Sequence, residues 1–403
     1  MIDSPTVRIL PPGFLSDPAL TRVLAALPEA RIAGGAVRDT LAGLPVADID
    51  LATPRLPEQV VAALTQAGIR AVPTGIAHGT VTAVSDGRGF EITTLRRDVE
   101  TDGRHAVVDF TDDWRADAAR RDFTMNALSM TRDGAVFDYF GGIEDLRHGV
   151  VRFVGDPATR IAEDYLRILR FFRFHARYAA GPPDPAALMA IRAGVPGLSR
   201  LSAERVWSEL TRILATPDPS GAVALMAELG VLAAIIPEGA DATLLARAVR
   251  AGAPPDPILR LAALLTGDVN RAAERLRLSG AEQDRLVALR NAPVLRPDAD
   301  NVTLRRLLAD TDPTVLRDRT WLDGDSAPGW AALRTRLDAL PRPIFPLEGR
   351  DVLALGLPPG PRVGQLLRAV RAWWLQGGCC ADVAACRAEL ARRASGIDQN
   401  PRA

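Results

Sequence analysis

Lysine is missing from this chain. Apart from four histidines every basic residue is arginine, and the 49 arginines balance 49 Asp and Glu to a formal net charge of zero. We read the lack of lysine as genomic composition. Zero net charge argues against a uniformly basic nucleic-acid binder, so any anion has to be met by local arginine clusters. Cysteine is scarce too: Cys379, Cys380 and Cys386 stand near the end without Cys-x-x-Cys spacing or a nearby histidine. That pattern argues against a structural zinc or a disulfide framework and leaves ordinary core or helix positions. No apolar run approaches membrane-spanning length, and Met1-Ile2-Asp3-Ser4-Pro5 lacks a basic region followed by a hydrophobic segment, so a cytoplasmic protein is expected.

With 47% hydrophobic and 24% charged residues the chain is globular, and its 403 residues exceed one ordinary core and predict two to four domains. In the first 150 residues short helical and strand-like runs alternate. A strand at 30–33 feeds a Gly-Gly turn, 37–41 starts a helix, 46–52 is a strand and 57–68 a helix. Segments 80–85 and 89–95 form a hairpin around Asp86-Gly87, and 135–139 adds a further strand. This predicts an α+β fold whose N-terminal part has a small mixed or antiparallel sheet. Beyond it a 3.6-residue period dominates, over 158–178, 185–193, 203–214, 221–229, 257–265 and 280–290, and the remainder reads as all-α.

Chemistry concentrates first in Gly34-Gly35-Ala36-Val37-Arg38-Asp39 and Asp48-Ile49-Asp50. Gly35 would present backbone N–H groups to a triphosphate, helped by the positive end of the following helix, and Arg38 would contact phosphate or ribose. Alone, the hexapeptide reads equally as a tight strand-to-helix turn. Asp-x-Asp spacing recurs at Asp298/Asp300, Asp310/Asp312 and Asp323/Asp325, among turn-forming residues. Only Asp48/Asp50 is flanked by apolar residues on both sides, and strand alternation aims both carboxylates at one face while Ile49 and Leu51 bury. The pair is therefore the candidate catalytic and Mg²⁺-binding site for in-line displacement at a triphosphate. Glu91, between apolar neighbours on the hairpin, reads either as a third carboxylate or as a solvated strand residue.

In Arg120-Arg121-Asp122-Phe123-Thr124-Met125-Asn126-Ala127, a capping-type Asp and Thr would place a guanidinium beside the phosphates at a helix start. Further on, 163–174 reads as one helix with Asp164, Arg167 and Arg170 at i, i+3 and i+6, and Arg173 extends the stripe. Such a stripe is usually an exposed, salt-bridged face. After a nucleotide site it reads as base recognition, with Asp accepting from an exocyclic amine and Arg donating to ring acceptors. Cytosine and adenine offer that amine, whereas uracil and guanine present a carbonyl.

With these motifs the chain resembles the class II tRNA nucleotidyltransferase and bacterial poly(A) polymerase family. The resemblance continues through Asp138-Tyr139-Phe140-Gly141-Gly142 and Leu201-Ser202-x-Glu204-Arg205 to Gly360-Pro361-x-Val363-Gly364. It implies a seahorse outline: a nucleotidyltransferase head over 1–150, a helical neck and body over 151–270 with the nucleotide-selecting helix, and a helical body and tail over 271–403 that binds tRNA. It further implies template-independent addition of CCA to tRNA 3′ ends from CTP and ATP with release of diphosphate. In that family the residues matching Asp48 and Asp50 bind Mg²⁺, and those matching Gly35, Arg38 and Arg121 hold the triphosphate. Those matching Asp164 and Arg167, with Arg170 and Arg173 alongside, act as a protein template.

Segment 97–105 looks like the family's flexible loop for the switch from C to A. The implied partners are the acceptor stem and elbow of tRNA, met by arginines such as Arg285, Arg305, Arg306, Arg362 and Arg368, with no membrane and as a monomer or weak homodimer. A poly(A) polymerase or an A-only adding enzyme shares the head, and Gly-Pro-x-Val-Gly looks more like the CCA-adding tail. From a different class, a non-catalytic RNA-binding protein on a decayed head is opposed by the intact Asp48 and Asp50.

Overall fold

In the computed structural model, which describes residues 4–101 and 106–397, the chain divides into two compact units, Met1–Pro237 and Glu238–Ala403. The strands of the first unit are β1 (Val7–Arg8), β2 (Arg31–Ala33), β3 (Asp50–Thr53), β4 (Arg70–Gly75), β5 (Thr80–Ser85), β6 (Arg88–Thr94), β7 (Arg96–Thr101), β8 (Ala106–Phe110), β9 (Leu128–Met130) and β10 (Ala135–Asp138). Eight of them form one mixed sheet in the order β1-β10-β9-β2-β3-β6-β5-β4. Only the β3–β6 pair is parallel. The Asp86-Gly87 turn has φ of 51° and 77°, the double left-handed conformation that a two-residue hairpin needs. Among the described residues β7 and β8 pair only with each other, so the segment expected as a flexible loop at 97–105 begins as an antiparallel strand, and 102–105 lie outside the described residues.

The helices of this unit are α1 (Pro18–Ala26), α2 (Gly35–Leu41), α3 (Pro57–Gln66), α4 (Trp114–Ala119), α5 (Gly142–Arg147), α6 (Pro157–Glu163), α7 (Leu166–Tyr178), α8 (Pro185–Gly194), α9 (Ala203–Leu214), α10 (Ser220–Glu228) and α11 (Val231–Ile235). Leu20, Val23 and Leu24 of α1 and Val60 and Leu64 of α3 pack with Ile32, Leu51, Val81 and Ile92 of the sheet into one core. A second packing centre sets Phe123 tilted against Phe153 at 4.8 Å between ring centroids, with Phe153 parallel to Phe171 of α7 at 6.1 Å. It ties the loop after α4 to α7.

Three local expectations are corrected. The strand expected over 46–52 starts only at Asp50, because residues 44–49 approach it as irregular chain. No α-helix follows Asp122: a single tight turn at Thr124–Asn126 leads into β9. The single helix expected over 158–178 is two, α6 and α7, broken at Asp164.

The second unit carries ten α-helices between Ala242 and Ile397 among the described residues. One apolar cluster gathers Leu304, Leu308, Leu316 and Leu333, another Val352, Leu366, Val370, Trp374 and the buried Cys386. All three cysteines are free thiols; of the core or helix positions expected for them only Cys386, buried on a helix, holds, while Cys379 lies in a turn and Cys380 is exposed outside any helix. Asp300 and Asp312 cap helices, in line with a turn reading of those Asp-x-Asp repeats. Three of the candidate tRNA arginines are occupied within this unit: Arg285 bridges Asp256 and Asp318, and Arg305 and Arg306 donate to the carbonyls of Gly378 and Leu375. Among the described residues no helix is long and apolar enough to cross a membrane.

Candidate active site

The turn between β2 and α2 is built on Gly34. Its φ/ψ of 67°/−114° is open essentially to glycine alone, and a Cβ there would lie 2.7 Å from Arg121 Nη1. The first glycine of the pair thus admits the Arg121 guanidinium over the turn, while Gly35 opens α2. Arg38, buried on α2, donates from Nε to Asp39 Oδ1 at 2.9 Å and from Nη1 to Asn126 Oδ1 at 2.6 Å. Tyr178 on α7 donates to the same Asp39 oxygen at 2.5 Å. Burial, together with the Asp39 bond and against the pull of Arg38, pushes the Tyr178 hydroxyl up to about 12, so it stays a donor.

Asp50 opens β3 opposite Glu91, its register partner on β6. Leu51 is fully buried, Ile49 packs on the same core, and both Asp48 and Asp50 are exposed. The in–out alternation read from the sequence holds even though Asp48 precedes the strand. Desolvation, then the charge of Glu91 and more weakly that of Asp48, raise the Asp50 carboxyl against the pull of Arg121. Among the described residues no three His, Cys, Asp or Glu side chains group so as to hold a metal. Glu91 therefore adds negative charge beside Asp50 without completing a three-carboxylate ligand set.

At Asp164 the backbone turns to φ/ψ −155°/108°. Its Oδ1 accepts from Leu166 N at 3.0 Å, an Asx-type turn that leads into α7, and Oδ2 accepts from Arg205 of α9 at 2.7 Å. The neighbouring Tyr165 ring fits only because residue 197 is glycine; a Cβ there would sit 2.0 Å from the ring. Arg167, Arg170 and Arg173 do share one face of α7, and each is held. Arg167 Nη1 donates to the Arg160 carbonyl at 2.8 Å and pairs with Glu163. Arg170 Nε donates to Asp122 at 2.6 Å, and Arg173 Nε to the buried Glu209 of α9 at 2.6 Å. Burial works to raise the Asp122 carboxyl, but Arg170, the Asn126 amide and the Phe123 N–H outweigh it and hold it below the ordinary value.

Gly35, Arg38, Asp50, Arg121, Asp164, Arg167, Arg170 and Arg173 line one cavity of about 640 Å³, with Asp48 beside it in sequence but outside the lining. Eight arginines line it against three carboxylates, which suits a polyanion. Asp122, read from the sequence only as a capping residue, and Asn126 and Arg205, given no individual role, line it as well. Asn126 bridges Arg38 to Asp122, so hydrogen bonds run unbroken from Tyr178 through Asp39, Arg38, Asn126 and Asp122 to Arg170. Both ends of that chain lie on α7. The signal for these residues was their place inside motifs whose other members were assigned.

Residues 30–152 match the model of the poly A polymerase head domain, and 183–243 match that of the probable RNA and SrmB- binding site of polymerase A. The zebrafish (Danio rerio) mitochondrial CCA tRNA nucleotidyltransferase 1 is 39% identical over 368 residues, covering 86% of this chain and 83% of its own. The chain belongs to the CCA tRNA nucleotidyltransferase family. A CCA-adding enzyme of Anoxybacillus flavithermus is 40% identical over 207 residues, about half of each chain (51% of both). The crystal structure of the Bacillus stearothermophilus CCA-adding enzyme in complex with CTP superposes with a TM-score of 0.73 at 28% identity, covering 95% of this chain and 100% of that one. An α+β head followed by helices is thus the architecture of the family.

Nucleotidyltransferases of this family use divalent metal. Asp48 and Asp50 fit one: the donors are hard oxygens, and the like charge of Glu91 and Asp48 that adds to desolvation in raising Asp50 is what a cation relieves. Two carboxylates without a third also match an ion that takes its remaining ligands from substrate phosphate and water.

Proposed function

We propose that this chain adds C, C and A to tRNA 3′ ends from CTP and ATP without a nucleic-acid template. The observation that carries the reading is the convergence in one arginine-rich cleft of Asp50, the Gly34–Gly35 turn and the Asp164–Arg167 pair. The 3′-hydroxyl of the RNA attacks the α-phosphorus in line, the bond from that phosphorus to its bridging oxygen breaks, and diphosphate leaves. Asp48 and Asp50 would hold Mg²⁺, which when bound lowers the pKa of the attacking hydroxyl and neutralises phosphate charge. Gly35 N–H, Arg38 and Arg121 would hold the triphosphate through charge-assisted hydrogen bonds.

Base selection is then an exchange of partners. Asp164 already accepts from Arg205, and Arg167 already donates to Arg160 and Glu163. An exocyclic amine from C or A satisfies the carboxylate, whereas the carbonyl of U or G would oppose it at a cost of about 1–3 kcal/mol. The division into 1–150, 151–270 and 271–403, binding of the acceptor stem and elbow with Arg362 and Arg368 as contacts, a monomer or weak homodimer, and a cytoplasmic location belong to the same proposal. Equilibrium binding of the four ribonucleoside triphosphates to wild type and Asp164→Ala tests it. The variant is expected to lose preference for CTP and ATP over UTP and GTP more than it loses triphosphate affinity. An unchanged preference would refute the template role.

A further inference from the structure

A second cavity, of about 700 Å³, shares Arg38, Arg173 and Phe174 with the active cleft and is as large as the cleft itself. Two further guanidinium groups line it, Arg177 on α7 and Arg212 on α9. Both side chains are about half exposed, at 47% and 57%, and pair only loosely, Arg177 with Asp39 at 3.9 Å and Arg212 with Glu209 at 3.5 Å. Asp218 is the sole carboxylate in the lining, and it already accepts from Ser220 N at 2.8 Å. Asp39 and Glu209 stand behind these four arginines as their ion-pair partners, so four guanidinium groups meet three carboxylates in all, and the remaining positive charge favours an anion. The lining also carries the apolar side chains of Leu44, Ala215 and Pro217, which suit a flat ring rather than ions alone. Nothing in this lining corresponds to Asp48 and Asp50, so the cavity has no means to transfer a nucleotide.

We propose that this cavity is a second, non-catalytic site for a small phosphate-bearing molecule, either a free nucleotide or the released diphosphate, with its phosphates between Arg177 and Arg212. The ligand class rests on the nucleotidyl-transfer reading above; the site rests on its own charge and shape. Because Arg38 and Arg173 serve both cavities, an occupant here draws on guanidinium groups that the cleft uses. Filling it weakens nucleotide binding in the cleft, which makes the site a brake that responds to excess nucleotide or accumulated product.

The test is isothermal titration of the full chain, without RNA, by CTP and separately by sodium diphosphate. Wild type is expected to bind two CTP per chain. The Arg177→Gln/Arg212→Gln variant and Ala215→Trp, which fills the cavity from the exposed end of α9, are each expected to bind one. Both variants should keep addition of C to a tRNA transcript and lose inhibition by excess ligand. Loss of a diphosphate equivalent along with the CTP equivalent assigns the site to phosphate alone; loss of the CTP equivalent only assigns it to nucleotide. One CTP per wild-type chain, or equal stoichiometry in all three proteins, overturns the proposal. A wild type that adds nothing to tRNA yet shows the lost equivalent would overturn the function and leave this site standing.

Discussion

Arg205 Nη2 donates to Asp164 Oδ2 at 2.7 Å, joining α9 to the residue that separates α6 from α7. With Oδ1 committed to Leu166 N, the Asp164 carboxylate is fixed from two directions. Arg205 would thus act on the incoming base through Asp164 in its proposed template role. Replacing it with Gln is expected to lower the selectivity for CTP over UTP about tenfold, ~1.4 kcal/mol, while kcat with CTP changes little. Arg205→Lys should restore part of it. The kcat/KM ratios across four triphosphates decide the matter; a uniform fall for all four would make Arg205 merely structural.

Removing either of the carboxylates proposed to bind metal, Asp48 and Asp50, should stop the chemistry and spare RNA binding. Asp48→Ala and Asp50→Ala are each expected to lose on the order of a thousandfold in nucleotide transfer, about 4 kcal/mol. Chelation of divalent ions in the wild type should do the same. Filter binding would show tRNA affinity unchanged. Turnover retained in Mg²⁺ would sink the assignment.

Glu209 is buried against Arg173, with its carboxylate 2.6 Å from Nε. Glu209→Ala leaves a guanidinium without its partner in a half-buried place, at a cost of about 3 kcal/mol. Thermal unfolding should fall by roughly 6–12 °C. A shift of a degree or so would show that Arg173 finds another partner.

Stability should depend on pH through Asp122. Burial alone would raise its carboxyl, but Arg170 and its other partners hold it below the ordinary value. A depressed carboxyl stabilises the fold above its unfolded pKa, near 3.9, and that contribution is lost as pH falls through the folded value. In Arg170→Gln burial loses its strongest opponent, so the charged carboxylate should be penalised at neutral pH and relieved by protonation. The deficit of the variant, about 2 kcal/mol at neutral pH, should shrink below about pH 4. Urea denaturation at both pH values measures it, and a deficit independent of pH would contradict the pairing.

The parts legible in sequence were those whose signal is local. α9 runs over Ala203–Leu214, as its apolar period predicts, and the β5–β6 hairpin follows from alternation around Asp86-Gly87. β9 was missed because its three residues are too few to show a periodic signal. The break at Asp164 was missed because the apolar period runs through it, while the turn depends on Tyr165 packing against Gly197. In the cleft, the residue types Gly35, Arg38, Asp50 and Arg121 were readable because phosphate and metal chemistry demands them. What steadies them was not: Arg38 meets Asn126 across 88 residues, and Arg170 meets Asp122 across 48. Such partnerships exist only once the chain is folded.

The most direct measurement uses the purified protein with tRNA transcripts ending before CCA, after C and after CC, supplied with CTP and ATP, and sequences the products. Each transcript is expected to be completed to CCA and no further. Runs of A, addition to the CC-ended transcript only, or a halt at CC would contradict CCA addition by this cleft.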